Sequence, residues 1–337
     1  MSDETMQALM CEQFGPPESL VLRELPVPEP KAGEVLICIQ ATGLNFPETL
    51  IIQNKYQIKP PVPFAPGGEM AGIVAKAGPG VTEFKCGDRV AALTHWGGFA
   101  QYIAAPVAKT IAVPASMDLD TAGAFTLAYG TAHHAFKQRS QLKAGETVLV
   151  LGASGGVGIA AIEVAKAMGA RVIAAASTAG KLAIAREHGA DLTINYSDQD
   201  LKAAAKEMTA GRGVNVIFDP VGDKLADAAF RTIAWEGRYL VIGFAGGQIP
   251  AIPLNLPLVK GASIVGVFWG DFVERSLALH RENMAELYAM HAQGKLKPRI
   301  SARYDLAHGA GAIRSLMNRT VTGKVVVNPN GPSGGYV

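Results

Sequence analysis

Apolar and polar positions along the chain fall into two regimes. Up to residue 125 the apolar runs are short ("EVLICIQATG", "AGIVAKAG", "DRVAAL", "FAQYIAA"), and turns such as "PVPEPKAG" and "KAGPGV" separate them. That pattern predicts a β-rich domain of many short strands, a sandwich or a barrel-like form. Near Leu119 the pattern changes. "DLDTAGAFTLAYGTAHHAFKQRS" has no proline, and its apolar spacing predicts a helix, with Asp118 or Asp120 as N-cap. Strand and helix signals then alternate. The strands are expected at Thr147–Leu151, Arg171–Ala176, Leu192–Asn195, Val214–Phe218, Arg238–Ile242 and Ser263–Phe268. Helices are expected between the first five, at Gly156–Met168, Ala179–His188, Gln199–Met208 and Asp223–Ile233. Two mononucleotide-binding halves with six strands in all predict an α/β fold, a doubly wound parallel sheet of Rossmann type.

Further on, Leu277, Met284, Leu287, Tyr288 and His291 share one helical face within Phe272–His291. The tail holds "ISARYDL", a helix-like "AGAIRSLMN" and the strand "GKVVVN", and its last residues, "PNGPSGGYV", are expected to be frayed. A tail that returns to strand is expected to rejoin the first domain. The expected division is 1–124 with 296–337, and 125–295.

Length and composition narrow the class. A chain of 337 residues suits two domains, and 49% hydrophobic against 18% charged residues suits a buried core rather than disorder. A net charge of +2 without a basic block argues against nucleic acid or an anionic membrane as main partner. The start, "MSDETMQALM", lacks the basic-then-apolar order of a secretory signal, and no stretch is long and apolar enough to span a bilayer. Cys11, Cys38 and Cys86 are odd in number and far apart, which suits free thiols in a reducing cytoplasm.

The candidate chemistry starts at "VLVLGASGGVGIAAIEVAKAMGA". Gly155 lets backbone approach a diphosphate, Gly158 lets helix pack on strand, and Gly152 and Gly156 stand beside them. The helix N-terminus adds free N–H groups and a favourable dipole. A tight turn that needs glycine only for packing is the competing reading. The end of the second strand bears on the cofactor. NAD sites place an acid about 20 residues past the glycines, to bond the ribose 2′-OH. Here the sequence reads "AAASTAGKL", with neutral Ser177 and Thr178 and then Lys181. Hydroxyls and a lysine suit a 2′-phosphate, so the sequence favours NADPH over NADH. An ordinary N-cap and a solvated lysine would read the same way.

A β-rich first domain, a Rossmann unit and a short return segment together resemble the medium-chain dehydrogenase/reductase superfamily, over nearly the whole chain. The resemblance implies a GroES-like catalytic domain and an active-site cleft between domains. Many members are zinc enzymes, and zinc needs Cys, His or acidic ligands. In this chain "ATGLNFPETL" replaces the cysteine-bearing segment, and Gly67-Gly68-Glu69 replaces the motif that carries the histidine. There is no cysteine quartet. His133 and His134 are adjacent on a predicted helix, so they point about 100° apart and do not converge on one metal. His95, beside Trp96, reads as a loop residue. No metal site is expected.

Zinc-free sequences with "GLNFPETL" and "ASGGVG" are similar to the NADPH:quinone oxidoreductases, the zeta-crystallin-like branch. The resemblance implies that Asn45 lies near the nicotinamide, Tyr56 in the substrate cleft and Thr131 beside the cofactor. It implies a phosphate loop of Ser154, Gly155, Gly156 and Val157, and a 2′-phosphate pocket of Ser177, Lys181 and Tyr196. It further implies that Phe244 and Phe268 line the nicotinamide end and that Arg319 reaches the cofactor. Read without it, Asn45 caps a turn, Tyr56 is a surface aromatic, Phe244 and Phe268 are core, and Glu69 holds loops together. Three positions depart from the family: Leu50 replaces a tyrosine, Glu48 an aspartate and Pro220 a serine.

Without zinc, the expected acceptor is already electrophilic. Quinones come first, and enoyl-thioesters or α,β-unsaturated carbonyls second, the latter favoured by the lost aromatic at Leu50. In such a reduction Tyr56 or a water would supply the proton, and Asn45 would orient. A reading from another class is an NADPH-binding structural or sensing protein with little turnover. The last strand of the sheet, "SIVGVFW", would be an apolar edge, and the resemblance implies that two copies pair there as a homodimer.

Overall fold

The computed structural model describes residues 4–331; the start of "MSDETMQALM" (1–3) and the end of the expected frayed tail (332–337) lie outside the described residues. Two compact units form, one from residues 4–127 with 300–331 and one from 128–299.

The first unit opens with an antiparallel pair, β1 (Thr5–Met10) and β2 (Val21–Pro26). β3 (Glu34–Gly43), α1 (Phe46–Ile51), β4 (Glu69–Ala77), β5 (Arg89–Leu93), β6 (Tyr102–Pro106), β7 (Thr110–Ala112) and α2 (Leu119–Gly123) follow. Along β3, Val35, Ile37 and Ile39 alternate onto one face and meet Met70, Val74 and Val90 in a single apolar cluster. Asp118 caps α2, its carboxylate accepting from Thr121 N at 2.8 Å.

One helix was expected through this stretch, but there are two: α2 stops at Gly123, and α3 runs over Thr126–His134 into a π-helical turn at Ala135–Arg139. The cause is a long-range acceptor. Leu127 N donates to the Glu69 carboxylate at 2.7 Å rather than to the preceding turn. Gly123 also packs so closely that a Cβ there would lie 2.6 Å from Ala41 O.

In the second unit β8 (Thr147–Val150), α4 (Gly156–Ala167), β9 (Arg171–Ala176), α5 (Ala179–Glu187), β10 (Leu192–Asn195), α6 (Leu201–Met208), β11 (Val214–Asp219), α7 (Leu225–Phe230), β12 (Ile233–Val241), α8 (Asn255–Lys260) and β13 (Ser263–Gly266) alternate. The parallel sheet has the order β10-β9-β8-β11-β12-β13, the doubly wound arrangement with its switch point between β8 and β11. Val148–Val150 and Val172–Ala175 are fully buried, as strands covered on both faces must be. β12 starts five residues before the expected Arg238, because Glu236 takes a left-handed conformation (φ 56) and the register with β11 shifts there. The expected helix at Phe272–His291 is likewise two, α9 (Trp269–Arg275) and α10 (Leu277–Ala292), broken at Ser276 (φ −140, ψ 52).

The chain then returns to the first unit. β14 (Ile300–Asp305), α11 (Gly309–Met317) and β15 (Lys324–Asn328) give a sheet of order β14-β15-β3-β4-β5-β7, with β6 on β3. β15 runs antiparallel to β3, Val326 opposite Gly43 and Val327 opposite Thr42. Within the segment expected to fray, Asn330 is anchored: its Nδ2 donates to Ile39 O at 2.8 Å and Gln101 O at 3.0 Å. Among the described residues no helix is long and apolar enough to cross a membrane.

Candidate functional site

The glycine turn follows β8 at the switch point. Gly152 takes a left-handed φ of 58°, which turns the chain back sharply. A Cβ on Gly158 would lie 2.3 Å from Gly152 O and 2.9 Å from Ala153 Cα, so α4 packs on the turn only because this residue has no side chain. Gly155 differs. A Cβ there would meet nothing nearer than Gly152 O at 3.5 Å, so the protein itself does not fill the space before it. Gly155 is the N-cap of α4, and its backbone is extended. The first N–H groups of a helix, here those of Gly156, Val157 and Gly158, have no intrahelical acceptor. Ser154 is buried, whereas Gly155, Gly156 and Val157 are partly open. Open backbone, unpaired helix N–H groups and the positive end of a twelve-residue helix are what an anion such as a diphosphate requires.

Ser177 and Tyr196 follow the carboxyl ends of β9 and β10, on the same side of the sheet as that turn, and Lys181 lies in the first turn of α5. Ala153 N donates to Ala175 O at 3.2 Å, and Tyr196 N to Ala176 O at 3.2 Å, which aligns the ends of β8, β9 and β10. Ser197 Oγ donates to Ser177 O at 2.9 Å. Thr178 caps α5, its hydroxyl accepting from Lys181 N at 3.3 Å, so that hydroxyl is engaged locally.

Across the switch point, Asp219 organises the opposing turn. Its carboxylate accepts from Val221 N at 2.7 Å, Gly222 N at 2.8 Å and the Tyr239 hydroxyl. Burial raises its carboxyl above the usual range, and these donors pull the other way. The two turns adjoin, since a Cβ on Gly152 would lie 2.9 Å from Val221 Cγ2. Phe244 lies over the second turn, its ring 2.9 Å from where a Gly222 Cβ would be. It is exposed, and Phe268, just past β13, is 54% exposed. Neither is a core residue. Thr131 is buried on α3, next to Gly130, whose missing side chain admits Trp269, the neighbour of Phe268.

Asn45, Tyr56 and Arg319 belong to the first unit. Asn45 is the N-cap of α1 and is 5% exposed. Its backbone N–H donates to Glu48 Oε2 at 2.8 Å, and Gly68 N donates to Glu48 Oε1 at 3.2 Å. Its side-chain Nδ2 donates to Glu69 Oε2 at 2.9 Å. Lys324, only 4% exposed, donates from Nζ to Asn45 Oδ1 and to Glu69 Oε2, the latter at 3.2 Å. Burial pushes the Glu48 carboxyl up to about 7, against the pull of the Asn45 and Gly68 N–H groups and the Lys324 ammonium. Tyr56 is half-buried against the apolar cluster that includes Ile51, Ile52 and Ile313 rather than lying on the surface, and burial together with the Glu48 charge raises its phenol. Arg319 is exposed just after α11, with a left-handed φ of 56°.

Sequence reasoning missed Lys324 and Asp219. "FDPVGD" carried a usable signal for Asp219, because an aspartate before such a turn bonds the N–H groups that follow it. Nothing near "TGKVVVN" marks Lys324 as buried beside residues 45 and 69. Glu69 is fully buried and does hold loops together, as its competing reading had it. Among the described residues no group of three or more His, Cys, Asp or Glu is arranged to hold a metal ion.

The chain is similar to known proteins over most of its length. Residues 31–115 match the alcohol dehydrogenase GroES-like domain, and residues 156–286 match the family described as zinc-binding dehydrogenase. The quinone oxidoreductase-like protein 2 homolog of Nematostella vectensis is 37% identical over 96% of this chain and 89% of its own length. A probable oxidoreductase from Mycobacterium abscessus is 36% identical with a TM-score of 0.88, over 97% of this chain and all of that one (100%). Escherichia coli quinone oxidoreductase, solved in complex with NADPH, is 28% identical with a TM-score of 0.89, over 97% and 100% of the two chains.

Proposed function

Because the chain belongs to the quinone oxidoreductase family of the medium-chain dehydrogenases/reductases, and so is an oxidoreductase, we propose that it reduces quinones with hydride from NADPH. The observation that carries this reading is the open cradle at Gly155, flanked by neutral and basic groups instead of an acid. The N–H groups of Gly156 and Val157 would hold the diphosphate, and Ser177, Lys181 and Tyr196 the 2′-phosphate. Thr131, Phe244, Phe268 and Arg319 would bound the nicotinamide end. Bound NADPH supplies the hydride; the protein orients it and keeps water away. Asn45 would orient the acceptor, and Tyr56, whose phenol stays protonated at neutral pH, would line its pocket. The E. coli protein's complex with NADPH supports the cofactor assignment by similarity.

A second reading, reduction of enoyl-thioesters or α,β-unsaturated carbonyls, rests on Leu50, which offers less aromatic surface to stack a quinone. One assay separates the readings: NADPH oxidation with quinones, crotonyl-thioesters and simple enones. Turnover with quinones is expected. Turnover with thioesters alone would replace the first reading by the second, and tight NADPH binding without turnover would favour a structural or sensing role.

We also propose a homodimer through β13, the last strand of its sheet. In the segment that leads into it Leu254, Leu258 and Val259 are exposed, Leu258 by 78%, as is Trp235 on the paired β12, apolar surface that a second copy would cover. Leu258→Glu should then halve the mass seen by sedimentation; an unchanged monomeric mass in both proteins refutes the dimer. The free Cys11, Cys38 and Cys86 suit a reducing compartment, the cytoplasm.

A further inference from the structure

The two ends of an asparagine amide are nearly equal in shape, so partner chemistry decides which way it points. At Asn45 that choice is forced. Lys324 carries only donors, and its Nζ donates to Asn45 Oδ1. Ionised Glu69 carries only acceptors, and its Oε2 accepts from Asn45 Nδ2 at 2.9 Å. Reversal of the amide would set donor against donor and acceptor against acceptor. Glu69 is tied further by Leu127 N at 2.7 Å and by the ammonium at 3.2 Å, so it cannot swing away cheaply. One amide proton of Asn45 remains, and its protein contact, Gly43 O, is a long 3.4 Å away. An ammonium on Oδ1 draws electron density out of the amide, which strengthens that remaining N–H as a donor.

We propose that Lys324 is a positioning residue that locks and polarises Asn45, so that an N–H and not a carbonyl oxygen faces the acceptor. The proposal rests on the reading of Asn45 as acceptor-facing. When a quinone gains hydride from NADPH, which leaves as NADP+, negative charge builds on the quinone oxygen, and a proton from solvent then completes the hydroquinone. A fixed donor aimed at that oxygen acts where the charge develops. Lys324 thereby serves the reaction without touching the acceptor.

The test is a double-mutant cycle on the full-length protein, using Lys324→Met, Asn45→Ala and the pair, with saturating NADPH and a simple benzoquinone. If one fixed donor is worth about 10²–10³ in kcat, Asn45→Ala should lose about that much. Lys324→Met should lose about tenfold or more, with KM for NADPH unchanged. In the Asn45→Ala background, Lys324→Met should cost nothing further. In parallel, binding of 4-nitrophenol, a stand-in for the anionic oxygen, is read from its visible absorbance. The wild-type protein should hold the phenolate form several-fold tighter than Lys324→Met does. Full additivity of the two losses, or an equal phenolate affinity, overturns the proposal. Loss in Asn45→Ala with none in Lys324→Met overturns it while leaving the Asn45 reading intact; wild-type turnover in Asn45→Ala removes both. Should Lys324→Met not fold, Lys324→Met/Glu69→Gln, which removes both buried charges together, takes its place in the cycle with the same criteria.

Discussion

The glycine turn of the Rossmann unit and the Asn45 cluster of the first unit are built in opposite ways. The turn is made of backbone. Its residues are neighbours in sequence, its donors are N–H groups, and its specificity comes from missing side chains at Gly152, Gly155 and Gly158. The cluster is made of side chains and charge. Asn45, Glu48, Glu69 and Lys324 are all buried, and they come from an N-cap, a helix, a strand start and a returning strand. The first design tolerates exposure, because backbone donors cost nothing to leave in water. The second holds only if every partner is present, since a lone buried charge is far more costly than a paired one.

Five substitutions probe that contrast. The largest effect is expected at Glu69→Ala, which leaves the Lys324 ammonium buried without its carboxylate partner. Breaking a buried pair costs about 3–5 kcal/mol, and urea unfolding at neutral pH measures it. A loss below about 1 kcal/mol, the worth of an exposed pair, would mean that the cluster is not held by charge.

Glu48 comes next and gives a pH signature. Its carboxyl lies at about 7 in the folded chain against an ordinary 4.5. Below the ordinary value both folded and unfolded chains are protonated, and the group is neutral to stability. As pH rises from there towards 7 the unfolded chain ionises first, so stability falls, by about 3 kcal/mol in all. Above about 7 the loss is constant. Glu48→Gln should flatten the slope measured between about pH 5 and about pH 8; an unchanged slope assigns it to other groups.

At the turn, Gly158→Ala forces a methyl to within 2.3 Å of Gly152 O. Overpacking of this kind costs about 1–3 kcal/mol, and NADPH affinity, read by fluorescence titration, should fall with it. Gly155→Ala, whose Cβ has room, should keep the fold and weaken NADPH binding alone. The smallest effect is expected at Lys181→Ala: about tenfold weaker NADPH binding, the worth of one charge-assisted bond, with NADH unaffected. Equal loss for both cofactors would remove Lys181 from the 2′-phosphate pocket.

The same contrast explains what could be read from the sequence. The β/α alternation, the six strands and the glycine turn are local patterns, so periodicity and spacing sufficed for them. The break between α2 and α3 is not local, because the acceptor that takes Leu127 N is Glu69, 58 residues away. Lys324 escaped for the same reason: a lysine in an apolar strand reads as a solvated edge until the strand is seen against β3. Phe244 and Phe268 look like core by composition and are exposed, because the ends of a doubly wound sheet, where these rings stand, are open. Residue type gave Asn45 two readings, a turn cap and an acceptor-facing group. The structure has it capping α1 while its side chain joins the buried charges.

The distance along the chain between Lys324 and Asn45, 279 residues, has a consequence for synthesis. At about 5–20 residues per second, tens of seconds pass between the exit of Asn45 from the ribosome and that of its lysine. Through that interval β3 and β4 exist without β15, and Glu69 has no counter-ion with which to be buried. The Rossmann unit, whose strands lie between these two segments, is complete earlier. The first unit to be made is therefore the last to close, and a nascent chain held before Lys324 emerges should protect the second unit from protease while the first is still cut.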